Sequence, residues 1–277
     1  MAAHPGKTLI FIPTYDERDN VRPMVEELVR YVPYADIVFM DDNSPDGTGA
    51  ILDEIARTES RLTVLHRAGK LGVGGAHRSG IAYAFDRGYG ILVTLDCDFT
   101  HSPCDIPRLL EKSSTADITL GSRHIEAGSL PGWHVMRKVL TKLGHFLTVN
   151  TLGIGADATG AFRVYRLSTI RREMFDLVKS NGYAFFFESL FIASQNDLTL
   201  CEIPIRLPAR AAGHSKMTLR EIQRSIVHLF QLLIARKTNP AQFRLGRSMA
   251  AVPTVAETSV RLQAEKVPLR REGTRVS

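Results

Sequence analysis

A chain of 277 residues with 44% hydrophobic and 23% charged residues has a globular composition, fits one large domain or two modest ones, and is too apolar to be disordered throughout. Much of the formal net charge of +6 sits at the end, where from Arg244 onward seven Lys/Arg face three Glu, so the body is only mildly basic and lacks the basic face of a dedicated nucleic-acid binder. Three cysteines, Cys97, Cys104 and Cys201, form no CxxC pair, which excludes a disulfide framework or structural zinc site and suits a reducing compartment.

The first half alternates strands and helices. Thr8 to Ile12 is an apolar run closed by Pro13 and reads as a buried strand. Val21, Met24, Val25, Leu28 and Val29 carry helical spacing over Asp19 to Val32. A second strand, Asp36 to Met40, ends at Asp41 and Asp42. Ala50 to Thr58 reads as a helix, Leu62 to Leu65 as a strand, Gly74 to Gly88 as a helix behind a glycine-rich loop, and Ile91 to Leu95 as a strand running into Asp96. Such alternation predicts a mostly parallel α/β sheet with right-handed crossovers and helices on both faces. The second half is less regular. Trp133 to Val149 and Thr218 to Arg236 are amphipathic helices, the first with Arg137, Lys138 and Lys142 interleaved. The chain divides into a folded α/β domain over 1–240 and a basic, disordered tail over 241–277. The N-terminus lacks a signal peptide's apolar core, and no run reaches the ~20 apolar residues that span a bilayer. A cytoplasmic protein that meets a membrane only from the side is expected.

In parallel sheets ligands bind beyond the carboxyl ends of the strands, and here polar residues cluster at those ends: Thr14 to Glu17, Asp41 to Asp46, and Asp96 to His101. Asp96-Cys97-Asp98 is the sharpest cluster. Two carboxylates one residue apart, leaving a buried strand, suit a Mg²⁺ or Mn²⁺ ion that takes its remaining ligands from phosphates. Read blandly, the same residues form a solvated turn. In Asp41-Asp42-Asn43-Ser44-Pro45-Asp46-Gly47, Ser44 and Asp46 suit a turn and cap, while Asp41 or Asp42 suits a ribose or nucleobase. Pro13-Thr14-Tyr15-Asp16-Glu17 brings an aromatic ring and an acid to the same edge. Gly69 to Gly75 matches neither the P-loop nor the dinucleotide fingerprint. It reads as a flexible loop near the nucleotide or a plain helix start.

PTYDE, DDNSPDGT, KLGVGGAHRSG, DCDFTHSP, GSR, DATGAFRVY, GYAFFFE and RAAGHSK follow in that order. Over Leu9 to Lys216 the chain resembles the family 2 glycosyltransferases of the dolichyl-phosphate mannose synthase type. The resemblance implies a GT-A (Rossmann-like) fold, a divalent metal (Mg²⁺ or Mn²⁺), a nucleoside-diphosphate sugar donor with GDP-mannose favoured, a polyprenyl or dolichyl phosphate acceptor, and inversion at the anomeric carbon. By motif position Pro13, Tyr15, Glu17, Asp41 and Asp42 hold the nucleoside, Asp96 and Asp98 the metal and diphosphate, and the Cys97 backbone lies beside them. Arg123, Arg210 and Lys216 hold phosphates, and Arg137 takes the acceptor phosphate. The chain departs from the family pattern at Asp16, usually Asn, at Cys97, usually Ala, and at Ala158 or Thr159, often Ser, which leaves the sugar and nucleotide less defined.

A phosphomonoester, with a second pKa near ~6, is already ionised at neutral pH. Such an acceptor makes a catalytic base superfluous, so Asp157 and Glu188 read as structural. Two phosphate groups call for cations, and Arg163 joins the arginines above as a candidate or a surface residue. His101 reads as structural or as an approach to the metal, and His77 and His214 carry no role. The Trp133–Val149 helix, led by Trp133, fits a headgroup layer, whereas Thr218–Arg236 fits core packing. Peripheral attachment to the cytoplasmic face of a membrane, or an integral partner, follows. The rival readings are a UDP-sugar donor, a hydroxyl acceptor served by Asp157 or Glu188, and a non-catalytic nucleotide-sugar-binding subunit. The retained Asp96 and Asp98 oppose the last.

Overall fold

The structure, a computed structural model, describes residues 7–209 and 218–246. Seven strands form one sheet: β1 (Thr8–Thr14), β2 (Asp36–Asp41), β3 (Leu62–His66), β4 (Ile91–Thr94), β5 (Ile118–Ser122), β6 (Arg163–Arg166) and β7 (Leu200–Pro204), in the order β3-β2-β1-β4-β6-β5-β7. All neighbouring pairs are parallel except those of β6, which runs antiparallel between β4 and β5. Strand alternation divides the core in two. Leu9 and Phe11 of β1 point to one apolar cluster, Ile10 and Ile12 to the other. α3 (Val73–Asp86), α6 (Ala184–Gln195) and part of α7 (Leu219–Thr238) cover the first face, while α1 (Arg18–Tyr31), α2 (Thr48–Ala56) and α4 (Ile106–Lys112) cover the second. This is the expected GT-A-type three-layer α/β fold.

The strands and helices of the first half fall where the periodicity puts them, within a few residues. Beyond β4 lie α4, β5, β6, α6 and β7, which the periodicity leaves unassigned. The sequence of β6, Arg-Val-Tyr-Arg, offers no apolar run, and it forms a strand because β4 and β5 satisfy its backbone on both edges. The glycine loop has a packing reason. Gly72 has φ +89°, Gly75 N–H donates to Asn181 O at 3.1 Å, and a Cβ on Gly74 would collide with Phe185. These glycines let α3 start hard against the 181–185 segment.

α5 (Val135–Leu152) occupies the first amphipathic segment of the second half, yet only Thr148 and Leu152 of it are buried. α7 is capped by Thr218, whose hydroxyl accepts from Glu221 N–H at 3.3 Å. Core packing was expected for α7, and the structure shows it for one side of the helix: Leu229 and Leu232 pack in the core, while Ile226, Val227, Phe230 and Ile234 face solvent. Beyond α7, Phe243 is buried edge-on against Phe191 with ring centroids 5.0 Å apart. The compact unit therefore runs to Leu245, past the break read at 240, and residues 247–277 of the expected tail lie outside the described residues. Among the described residues no helix is long and apolar enough to cross a membrane.

Candidate active site

The polar clusters of the sequence converge on the carboxyl edge of the sheet around β1, the point where the chain turns from β2 and β3 on one side to β4 on the other, which is where open α/β sheets hold ligands. Thr14 and Asp41 are register partners at the ends of β1 and β2. Asp41 is buried, and its carboxylate accepts from the Thr14 hydroxyl at 3.2 Å, Ser44 N–H at 3.0 Å and the Ser44 hydroxyl at 2.5 Å. It therefore shapes the loop rather than facing a ligand. Asp46 accepts from Thr48 N–H and hydroxyl at the start of α2 and from Arg18 N–H, the turn-and-cap duty expected of it. Glu17 takes the Asn20 amide at 2.7 Å, and its own N–H donates to the Thr48 hydroxyl at 2.9 Å. These bonds brace Tyr15 and Asp16, and Asp16 adopts a left-handed φ of 53°.

Asp42 is the acid of this edge with a binding geometry. Burial raises its pKa above the ordinary carboxylate value, against the pull of Arg67, whose Nη1 lies 3.0 Å from Oδ1. That ion pair lacks good hydrogen-bond alignment, since both atoms are otherwise unpartnered and buried. Lys70 lies over the Tyr15 ring, Nζ 4.1 Å from the centroid. The Lys70 charge also reaches Asp42, so an acid paired with a guanidinium and a ring paired with an ammonium gather at this edge, groups that suit the polar edge and flat face of a nucleobase. Sequence reasoning missed Arg67 and Lys70. Arg67 directly follows His66 at the end of β3, so applying the strand-end rule to this third strand would have found it.

Asp96, Cys97 and Asp98 leave β4 on the same edge. Cys97 is buried. Asp98 is also buried, and its Oδ1 accepts from Thr100 N–H at 3.1 Å and hydroxyl at 2.6 Å. His101 Nδ1 accepts the Asp96 N–H at 3.1 Å, and its ring sits 5.3 Å from that of Phe162. His101 thus braces the turn, as its structural reading requires. Two acids with one oxygen already braced suit a Mg²⁺ or Mn²⁺ ion that completes its shell with phosphate oxygens and water. A closed all-protein cage does not fit, because among the described residues no group of three or more His, Cys, Asp and Glu could hold a metal.

Arg123 follows β5 and is near enough to Asp96 to feel its charge. Its guanidinium grips Asp157 in two places, Nε to Oδ2 at 2.7 Å and Nη2 to Oδ1 at 3.0 Å, with a third bond from Nη2 to the Thr159 hydroxyl at 3.0 Å. Burial alone would raise the Asp157 pKa. The charge and hydrogen bonds of Arg123 outweigh it and hold the carboxyl far below its usual range. Asp157 N–H donates to Glu202 at 2.7 Å, a support the sequence did not reveal. Arg137, in the first turn of α5, lies over the Trp133 ring at 3.7 Å. Trp133 was expected at a headgroup layer. Instead it is buried, with its indole N–H on Pro208 O at 3.2 Å.

One candidate phosphate contact drops out. Arg163 does not grip phosphate: it is wholly buried and donates to Gly160 O, Ala158 O, Phe186 O, the Ser189 hydroxyl and the Tyr165 hydroxyl. Glu188 accepts from Lys179 N–H and Ser180 N–H and pairs with His228 at 3.0 Å, which matches its structural reading. His77 is buried among Phe11, Phe185 and Phe186. Arg210, Lys216 and His214 lie outside the described residues.

The family model "Glycosyl transferase family 2" matches residues 9–174, which includes both acid clusters and Arg123. The chain belongs to glycosyl transferase family 2. Its relatives include an undecaprenyl-phosphate mannosyltransferase of Micrococcus luteus, 34% identical over 87% of this chain and 99% of that one. A polyprenol monophosphomannose synthase of Mycolicibacterium smegmatis is 36% identical over 79% of this chain and 84% of that one. Among solved structures, glucosyl-3-phosphoglycerate synthase of Mycobacterium tuberculosis, in complex with Mn²⁺, UDP and glucosyl-3-phosphoglycerate, superposes with TM-score 0.59 at 18% identity, covering 84% of this chain and 80% of that one. A mannosyltransferase of Pyrobaculum calidifontis in complex with GDP-mannose and Mn²⁺ gives TM-score 0.55 at 13% identity, covering 86% and 67%. These two similarities concern the fold that the glycosyltransferase shares with them.

Proposed function

We propose that this family 2 glycosyltransferase moves mannose from GDP-mannose to a polyprenyl phosphate with inversion, working peripherally on the cytoplasmic face of a membrane. The observation that carries this reading is the meeting, on one sheet edge, of the Asp42–Arg67 pair with Lys70 and Tyr15 beside it, the Asp96–Asp98 pair, and Arg123. The order base, diphosphate, acceptor phosphate follows the strands across the sheet. The names of the two relatives above support the lipid phosphate and the mannose, and the GDP-mannose bound to the Pyrobaculum enzyme agrees with that donor.

In this reading Asp42 and Arg67 orient the base, with Tyr15 against its face and the Pro13–Glu17 loop closing over the nucleoside. Asp96 and Asp98 hold Mg²⁺ or Mn²⁺ with the diphosphate beside the Cys97 backbone. A divalent ion held by these two carboxylates would supply positive charge against that of the departing diphosphate. Arg123 and Arg137 bind and orient the acceptor phosphate, with Arg210 and Lys216 assigned to phosphates from the sequence motif. An acceptor phosphate oxygen attacks the anomeric carbon as the bond to the diphosphate breaks, so GDP leaves and the configuration inverts. No proton is removed from the nucleophile, and catalysis rests on positioning and electrostatics. A hydroxyl acceptor is disfavoured because its would-be bases are engaged, Asp157 by Arg123 and Glu188 by two backbone amides and His228.

A donor panel of GDP-mannose, UDP-glucose and related sugar nucleotides with a radiolabelled sugar and a short polyprenyl phosphate tests the reading, with Mn²⁺, Mg²⁺ or EDTA present. Mannosyl lipid that forms with GDP-mannose and stops with EDTA is expected. Transfer that continues without any divalent ion, or that requires a hydroxyl acceptor, overturns it.

A further inference from the structure

Trp133 is the single tryptophan of the chain, and it closes a ladder that leaves the sheet. Beyond the paired ends of β5 and β7, Ile205 N–H donates to Ser122 O at 3.0 Å, Leu207 N–H to Ser129 O at 2.7 Å and Ala209 N–H to Pro131 O at 3.2 Å. The Trp133 indole N–H adds a further rung to Pro208 O at 3.2 Å. Gly132, with φ +74°, makes the left-handed turn that leads into the tryptophan. The same stretch is tied to Arg123, whose carbonyl accepts from the Ser129 hydroxyl at 2.5 Å.

α5 starts from this point with few anchors of its own. His134 at its N-cap makes no side-chain cap bond, its first turn has no acid, and the residues it buries, Thr148 and Leu152, lie near its far end. Trp133 is 9% exposed, whereas Val135 and Met136 just after it are 77% and 70% exposed. The helix dipole opposes a cation in the first turn. Arg137 nevertheless stands there, with its guanidinium carbon 3.7 Å from the centroid of the Trp133 ring. The negative face of an indole attracts a cation, and more strongly where water is excluded. A buried ring therefore sets the place of Arg137 at the start of a largely exposed helix.

We propose that Trp133 is a positioning residue for the acceptor phosphate, acting through Arg137. The proposal rests on the lipid-phosphate reading and adds to it a side chain that touches no phosphate itself. The ring face holds the guanidinium, and the indole N–H holds the ring to the backbone that extends β7. Arg123 and Arg137 are thereby fastened to one stretch of chain, which keeps the two cations at a constant spacing for one phosphate group.

Steady-state kinetics and tryptophan emission of the full chain test it. Trp133→Leu is expected to raise the KM for a short-chain polyprenyl phosphate about tenfold, the scale of a desolvated cation–π contact, with the KM for GDP-mannose unchanged. Trp133→Phe, which keeps an aromatic face, should restore most of the loss. The double variant Trp133→Leu/Arg137→Gln should be no worse than Arg137→Gln alone, because the ring acts through the guanidinium. An unchanged acceptor KM, equal rises in both KM values, or losses that multiply in the double variant overturn the role. Emission decides the matter should Trp133→Leu fail to fold. Arg137→Gln is expected to shift the emission of the free enzyme, and the short-chain polyprenyl phosphate to shift it in the parent but not in Arg137→Gln. Emission that neither the substitution nor the acceptor moves overturns the role as well. A parent that transfers sugar to no polyprenyl phosphate removes the proposed function and this role with it, whereas a parent that transfers while Trp133→Leu keeps its acceptor KM removes the role of Trp133 alone.

Discussion

Arg123 and Asp157 lock as fork to carboxylate across 34 residues of sequence, at 2.7 and 3.0 Å. Asp157 is almost completely buried and Arg123 nearly so. The pair fixes an arginine whose charge is felt at Asp96. Replacing Asp157 by Asn leaves Arg123 charged, half-partnered and free to rotate. Breaking a buried pair from one side costs about 3–5 kcal/mol, and a loss near the lower end is expected in urea unfolding because Asn still accepts one bond. A fall in kcat with little change in donor KM should accompany it. The stability from this pair is present above the unfolded carboxyl pKa of about 3.8 and disappears as pH falls below it, because the folded pKa is lower.

The acid pair should behave differently. Asp96 has a side chain 38% exposed, so Asp96→Asn should leave the melting temperature nearly unchanged. Mannosyl transfer should drop about 100-fold or more, the scale seen when one electrostatic stabiliser is removed from a reacting site. Titration with Mn²⁺ followed by electron paramagnetic resonance should show weaker binding. Unaltered Mn²⁺ affinity with lost turnover would dissociate the residue from the metal.

Two histidines make the fold sensitive to mild acid. Burial depresses His77 to about 3 and His124 to about 4 from an ordinary 6.5. Between those values and 6.5 the unfolded chain binds more protons than the folded one, so stability is full above about pH 6.5 and declines as pH falls through that window. Arg163 and His101 face His77 and add to its depression, and Asp157 partly offsets it at His124. Thermal melts of His77→Phe from pH 7.5 to 4.5 should show a smaller loss than the parent. A parallel decline in both proteins would place the acid sensitivity elsewhere.

Arg163 provides the sharpest separation of structural from phosphate-binding arginines. Arg163→Met removes the donors to Gly160 O, Ala158 O and Phe186 O, all in or against the Asp157–Gly160 loop. Unsatisfied buried carbonyls cost about 1–3 kcal/mol each, and a total loss of about 3 kcal/mol is expected in urea unfolding. If the folded fraction retains its affinity for donor and acceptor, Arg163 has no ligand role. A selective loss of acceptor binding with stability unchanged would contradict the structure.

The sheet of the first half, the polar strand ends and the acid pair were legible because a buried parallel strand needs an apolar run and ends where polar residues begin. The four residues of β6 were not, since Arg163 buries only because the loop before it turns Ala158 O and Gly160 O onto the guanidinium and α6 adds Phe186 O. Adjacent acids were equally opaque. Asp41 and Asp42 look alike on the page, but Thr14 and Ser44 claim the first and leave the second to Arg67 and the ligand edge.

Residue order alone set the kind of chemistry: which residues stand at strand ends, in what succession, and therefore a nucleotide-diphosphate site built around two acids. Only the tertiary structure decided which polar groups are spent on one another and which apolar stripes stay uncovered. Periodicity records that one side of a helix is apolar, but whether that side meets a core or a membrane depends on what the rest of the chain brings against it. Along α5 the stripe of Val135, Met136, Val139, Leu140, Leu143 and Phe146 stays exposed, although the same helix stacks His145 on His124 and packs Leu152 in the core.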